Sequence, residues 1–394
     1  MHHRQFAALA LAIASAAGIA AKGAAPVPVH WSWQEPQAEV DPKGDLVWKP
    51  RPFVFEQSGS VRYIDFEAGG DANPGDAPGT PWKHHPWDPQ AAGQAGAGSG
   101  VHTYVFKRGV VYRGHLLVKD AGRAGGPIRL TSDPAWGNGE AVLCGSELVT
   151  GWKKGADRQD IPEPEKVWWA DLDFAPRSVW GVGPDGQITR IPLARTPNWK
   201  VSNPDDVKSE WWVWDNPAKP FGNTITNARG QAIHLGIDTR HIKDKPEDYF
   251  KGALIWPEYG WVMSGPYPTE VEVVDLKQHG LGFGGWTGGG TGGVIMRNMR
   301  YYLEDKPHYL DDPDGEYWFD KQARGGRLYL RLPNDTDPNT AKIEAGRWMN
   351  LVDGEKVEHL HITGLTFRFT ADASFASITV RAMSIRRPWN MRVP

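Results

Sequence analysis

The sequence predicts an all-β chain whose backbone turns repeatedly the same way in stacked coils, a solenoid interrupted by a strand-rich insertion. Three observations lead there. In residues 104–145, YVFKRGVVYRGHLLVKDAGRAGGPIRLTSDPAWGNGEAVLCG, apolar runs at 104–106, 116–118, 128–130 and 141–143 restart about every 12 residues, too close for helices to intervene. Residues 151–349 lose that rhythm and carry tryptophan and proline clusters instead. The rhythm then returns at 357–369, VEHLHITGLTFRF.

In chain order, residues 1–25 place Arg4 before an apolar, alanine-rich run and then small residues, the layout of a secretory leader cut near Ala20 to Ala25. A spanning helix fits less well, because so much alanine is weakly hydrophobic. Residues 26–60 are rich in proline and charge without a period and read as an N-terminal wrapping segment. VRYIDF at 61–66 alternates as an opening strand, 69–79 is turn chemistry, and 81–100 holds too many glycines for a confident helix. The adjacent His84 and His85 suit no zinc pair and read as surface residues.

Within 61–150, the first coils, Leu116 and Val118 alternate with His115 and Lys119, so one face is buried and the other wet. Asn-Gly hairpin turns are absent between the first three runs, and 108–114 and 120–127 read as corners. Parallel stacking then buries what one coil alone leaves exposed. Here the sequence resembles the right-handed parallel β-helix proteins, above all secreted bacterial glycoside hydrolases and polysaccharide lyases. The resemblance rests on Asp65, Asp71-Ala72-Asn73-Pro74-Gly75, Pro81-Trp82-Lys83, Phe106-Lys107-Arg108-Gly109, Tyr112-Arg113-Gly114, residues 122–127 and the rung at 357–369. It covers about a third of the chain, and it is specific for fold and weak for reaction.

The insertion, residues 151–350, contains VWWADL, ITRIPLARTPNW and EWWVWDNP. The resembling proteins interrupt the solenoid here too, with the same Leu193-Ala194-Arg195-x-Pro197-Asn198 signature. Asp314-Gly315 and Gly325-Gly326 mark hairpin turns within 302–333, an explanation preferred to calcium for Asp311, Asp312 and Asp314, which lack an EF-hand's closing glutamate. GLGFGG at 280–285 matches a dinucleotide fingerprint, but WTGGGTGG after it cannot propagate the required helix. A mobile or tightly turning loop is expected there.

Residues 351–394 return to rungs, with Leu360, Ile362, Leu365, Phe367 and Phe369 inward, His359, His361, Thr366 and Arg368 outward, and Gly364 at the corner. The chain then stops without a cap, which reads as a solenoid truncated at the C-terminus or sealed by a partner. Self-association through that end and poor turnover are the expectations.

Composition narrows the function. After leader cleavage 42 basic residues face 47 acidic ones, a formal −5, which excludes the basic excess of a nucleic-acid binder and, once the leader is gone, leaves no membrane segment. One cysteine, Cys144, permits no internal disulfide. Twenty tryptophans supply flat apolar faces that suit either a core or sugar rings. Glycoside hydrolysis, which needs two carboxyl groups, ranks first among the readings. Lyase action on uronates, with Lys, Arg or His as base and calcium as a possible helper, ranks second, and a non-catalytic carbohydrate-binding or surface module third. The expected partner is a polysaccharide or oligosaccharide, and no cofactor is called for. Arg195, Trp199, Trp211, Trp212, Trp214, His359, His361 and Arg368 are the candidate contacts, and no catalytic pair is selected by spacing.

Overall fold

Runs rich in Thr, Tyr, Val, Ile and Phe favour extended backbone. In the computed structural model they form Ser60–Ile64, His102–Phe106, Ile128–Thr131, Leu360–Thr363 and Ser384–Arg386, five strands side by side in that order and all parallel. The structure describes residues 38–48, 53–57, 59–215, 224–259, 267–284, 295, 297–323, 325–355, 357–370, 373–377, 380–381 and 384–386. Residues 1–25, where a leader is expected, the glycine-rich 285–293 and residues 387–394 lie outside them. Residues 38–48 form a small antiparallel hairpin of Ala38–Val40 with Leu46–Trp48.

Two further parallel sheets accompany the first. Val142–Cys144 lies between Val111–Arg113 and Thr366–Arg368, and Asn350–Gly354 lies between Leu116–Leu117 and Ala373–Ser377. A short parallel pair joins Val357–Glu358 to Val380–Arg381. The chain visits the sheets in turn and returns to the first one strand further along. Leu360 sits opposite Ile128, Ile362 opposite Leu130 and Phe367 opposite Leu143, so strands separated by some 200 residues of insertion are ladder neighbours. Their inward side chains, with Tyr104, Phe106, Leu116 and Trp87, make one apolar core; each such side chain contributes roughly 1.5–3 kcal/mol on burial.

Two expectations change here. The connection at 108–114 holds a strand, Val111–Arg113, because its alternation is only three residues long and merges with the turns around it. In His102–Phe106 both faces are covered, Thr103 and Val105 as fully as Tyr104 and Phe106, the two-sided burial common in parallel sheets. Gly364 has φ +63° and the Phe53 ring lies 2.6 Å from where a Cβ would stand, so the corner requires glycine twice over.

The antiparallel remainder has three sheets. Ile188–Ile191, Val179–Val182, Lys342–Gly346 and Ser146–Val149 form one, and Lys153–Lys154, Trp168–Asp171, Arg327–Arg331 and Glu316–Asp320 a second. The third runs Arg195–Thr196, Arg300–Glu304, Leu254–Pro257, Thr269–Asp275, Gly280–Phe283, Ala232–Ile237 and Thr224–Thr226, with Trp212–Val213 also on Arg300–Glu304. The Gly325-Gly326 turn closes a true hairpin between Glu316–Asp320 and Arg327–Arg331. Asp314-Gly315 does not, since Arg300–Glu304 pairs with Leu254–Pro257 in another sheet. Nor is Gly280–Phe283 a loop. It is a buried strand, and its glycines make room for neighbours: a Cβ on Gly282 would come within 2.7 Å of Ile225 and 2.9 Å of Val273.

Among the described residues helix is confined to Gly93–Ala97, Glu247–Phe250 and three-residue 3-10 turns. The fold is all-β. No helix among these residues is long and apolar enough to cross a membrane.

Candidate functional site

A small pocket, about 20 Å³, lies against the first parallel strands, lined by Phe66, Lys83, His84, His85, Asp88, Arg113, Gly114, His115 and Leu116, with Phe106, Tyr112, Leu143 and Leu351 below. It is made by the loop that leaves Ser60–Ile64 and by the corner between Val111–Arg113 and Leu116–Leu117. Asp65 starts the loop by accepting the Glu67 and Ala68 amides and the Lys107 ammonium at 2.6 Å. Asp71 pins its far side. One oxygen accepts the His84 amide at 2.8 Å; the other accepts the Ala92 amide at 3.0 Å and bonds the His84 Nδ1 at 2.7 Å.

Burial pushes the Asp71 carboxyl up, but the His84 ring and the two amides outweigh it and hold the group below its ordinary value. An ionised Asp71 makes Nδ1 of His84 the protonated nitrogen and leaves the Nε2 lone pair as the acceptor. Asp88 goes the other way. Its burial raises the carboxyl, and neither the Gln90 amide nor the neighbouring His84 and His115 imidazoles reverse that. Gly114 lets the chain pass close to it; a Cβ there would stand 3.4 Å from an Asp88 oxygen. The pocket therefore brings together a carboxyl whose proton affinity burial raises and an imidazole oriented by a carboxylate, two groups of the kind that acid–base catalysis uses.

His84 and His85 are thus not surface residues. The loop folds them inward, and His85 is 2% exposed, edge-on to Tyr104 at 4.2 Å between ring centres and stacked on Phe106. Its Nδ1 accepts the Trp87 amide, and burial drives its basicity well down. At the rim, Phe66 lies under the Lys83 ammonium, and the half-buried Trp348 ring sits 6.2 Å from His115.

The sequence candidates fall in three places. Trp199, Trp211 and Arg195 group around Tyr302, Arg195 lying 4.2 Å over the Trp199 ring. Trp212 and Trp214 face the opposite side of the same segment. Trp212 stacks on His241 at 4.5 Å, and Trp214, 1% exposed, stacks on Tyr301 at 3.5 Å in the insertion's core, where it has no surface to offer a sugar. His359, His361 and Arg368 belong to the parallel sheets. His359 has φ +48° at a corner and accepts the Ile128 amide, His361 is half-buried opposite Arg129 and Ser384, and Arg368 pairs with Glu140 at 2.6 Å. Phe369, expected inward, packs on Trp180 of the insertion. Lys200 binds Asp312 at 2.6 Å and Asp314 at 3.3 Å, and among the described residues no group of three His, Cys, Asp or Glu is arranged to hold a metal.

Sequence reasoning missed Asp88, His84 and His115 as a site. The signal was present in part, since Asp71 and Lys83 both lie in motifs that carried the family resemblance, but there they served as marks of fold.

No family model matches the sequence, and no curated protein matches it. Among solved structures it is similar to the complex of XylC with xylose, at 12% identity and a TM-score of 0.36, over 79% of this chain and 36% of that one. The chain spans about a third of that protein's length, and a likeness so slight carries neither fold nor reaction.

Proposed function

We propose that the parallel strands are successive coils of a right-handed β-helix and that the protein is an exported carbohydrate-active enzyme, a glycoside hydrolase working in the cleft over its first coils. The observation that carries the reading is the Asp71–His84 pair beside a buried Asp88, whose carboxyl burial pushes above its ordinary value. Asp88 donates its proton to the glycosidic oxygen as the bond to the anomeric carbon breaks. His84, held by Asp71, takes a proton from the water whose oxygen forms the new bond, so that an imidazole stands where such enzymes commonly place the second carboxylate. Phe66 and Trp348 provide ring faces for sugar at the rim.

One observation favours polysaccharide lyase action as a second reading. Lys83 and His115 line the cleft without a carboxylate at ion-pair distance among the described residues, so they would complement a uronate; His84 would then remove the proton α to its carboxyl. The test is a screen of purified protein against neutral and uronate polysaccharides, read by reducing-sugar release and by unsaturated-product absorbance. Hydrolysis gives the first signal alone; elimination gives both. D88N and H84Q should each lower kcat by about 100-fold or more with the thermal midpoint unchanged. Turnover indifferent to both substitutions would remove the cleft from the chemistry.

A further inference from the structure

Away from the pocket, a hydroxyl and an imidazole stand in direct contact. Ser60 opens the first strand of the five-stranded parallel sheet and His102 opens the second, and the parallel register sets them opposite each other. Ser60 Oγ lies 2.5 Å from His102 Nδ1, and His102 Nε2 lies 2.9 Å from the Ser99 carbonyl oxygen. A glycine bend leads into each strand: Gly59 has φ +66° and Gly100 φ +98°, and a Cβ on Gly59 would stand 2.8 Å from the Val101 carbonyl oxygen. The pair sits at the opposite end of Ser60–Ile64 from the loop that builds the pocket.

The partners decide the tautomer. A carbonyl oxygen only accepts, so the proton of the neutral ring is on Nε2, and the Nδ1 lone pair accepts the Ser60 hydroxyl. Burial, aided by the Arg62 charge, lowers the proton affinity of His102 against the opposing pull of the Ser99 carbonyl and Asp120, so the ring is a free base at neutral pH. Tyr104 stands edge-on to it at 5.6 Å between ring centres. A nucleophile, a base in hydrogen-bond reach of it and a third group that orients the base are the parts of an activated hydroxyl. Here a backbone carbonyl takes the place of the carboxylate in a Ser-His-Asp triad. Ser60 is exposed, so a substrate reaches it from solvent.

We infer that Ser60 and His102 form an acyl-transfer site for carboxylic esters, with Ser60 Oγ as nucleophile and His102 Nδ1 as base. Ser60 Oγ attacks the ester carbonyl carbon as its proton passes to Nδ1. The bond to the alcohol oxygen breaks, and the leaving alkoxide takes that proton. Water, losing a proton to the same Nδ1, then cleaves the acyl–Ser60 bond and releases the acid as the proton returns to Oγ. Gly59, Ser99 and Gly100 flank the pair with little apolar surface, which suits a short acyl group such as acetyl. This site does not rest on the chemistry assigned to the pocket.

The test treats the full chain with p-nitrophenyl acetate, read by nitrophenolate release, and with an alkyl fluorophosphonate, which traps activated serines, read by peptide mapping. Acetyl and phosphonyl groups should both map to Ser60, and release should fall about 100-fold in S60A and in H102Q with the thermal midpoint unchanged. H102Q retains an acceptor for the hydroxyl and deletes the base, so a bond that only links two strands would survive it without a change in reactivity. Release indifferent to S60A, or label on other side chains with none on Ser60, would overturn the inference. If a variant loses its thermal midpoint, mapping on the native chain decides alone: Ser60 labelled no faster than the exposed Ser202 and Ser209 would overturn it as well.

Discussion

At the scale of single residues, the insertion holds carboxyl groups that the fold keeps protonated. Glu304 is nearly buried, and desolvation lifts it from an ordinary 4.5 to about 7, only partly opposed by the Trp256 indole and the Arg195 charge. Glu316 is fully buried and rises to about 9, again by desolvation first, although the Asp312 and Arg195 amides point at it. For such groups the native state binds more protons than the unfolded chain, so stability falls as pH rises between the two values. Glu304 costs nothing below pH about 4.5, and its penalty grows to pH about 7, where a shift of this size corresponds to about 3 kcal/mol. E304Q, whose amide oxygen can still accept the Trp256 N–H, should match the native protein near pH 4.5 and exceed it in stability at pH 8. Denaturant unfolding at the two pH values checks this; equal stability of the two proteins at pH 8 would show that Glu304 ionises there without penalty.

At the scale of elements, Trp211 to Trp214 shows how little one strand reveals about its own faces. Alternation puts Trp211 on one side and Trp212 and Trp214 on the other. Which side is the core depends on what the sheet packs against, and that is set by residues far away in the chain. Trp214→Ala should cost about 3–5 kcal/mol, because it removes a ring 3.5 Å from Tyr301 and adjoining Phe283. Trp199→Ala, at a half-buried site, should cost clearly less. Equal losses in chemical denaturation would mean that both rings are core.

The same limit separates what the sequence disclosed from what it did not. The strands at 128–130 and 360–362 were legible because inward apolar residues repeat locally, and local alternation survives any context. The pairing of Asp71 with His84 across 13 residues, and its meeting with Asp88, Arg113 and His115, come from a loop whose glycines and prolines carry no period. Polar residues gathered by such a loop acquire meaning only once its path is known. Likewise Gly280–Phe283 reads as a loop by composition and becomes a strand because Leu235, Ile225 and Val273 fill the space where its side chains would be.

At the scale of the molecule, the antiparallel sheets are rooted in the parallel ones. The chain leaves the ladder after Cys144 and rejoins it at Asn350, and its two departing strands close on each other, Ser146 opposite Gly346 and Val149 opposite Ile343. Across this root Arg113, from a parallel strand, meets Glu344 in a two-bond fork at 2.8 and 2.9 Å, and Ser146 Oγ donates to the same carboxylate at 2.8 Å. Glu344 is buried and Arg113 is mostly so. Such a pair adds little over an apolar substitute, but removing one partner strands the other without its counter-charge. Glu344→Ala should therefore cost about 3 kcal/mol, and R113M with E344L together should cost less than the sum of the singles. If the fork couples the two parts, the loss appears first at the root. Hydrogen exchange should quicken in Ser146–Val149 and Lys342–Gly346 before it does in His102–Phe106, whose backbone is laddered on both sides. Uniform acceleration across all three strands would mean that the parallel and antiparallel parts unfold as one unit and that the fork acts on the whole rather than on the junction.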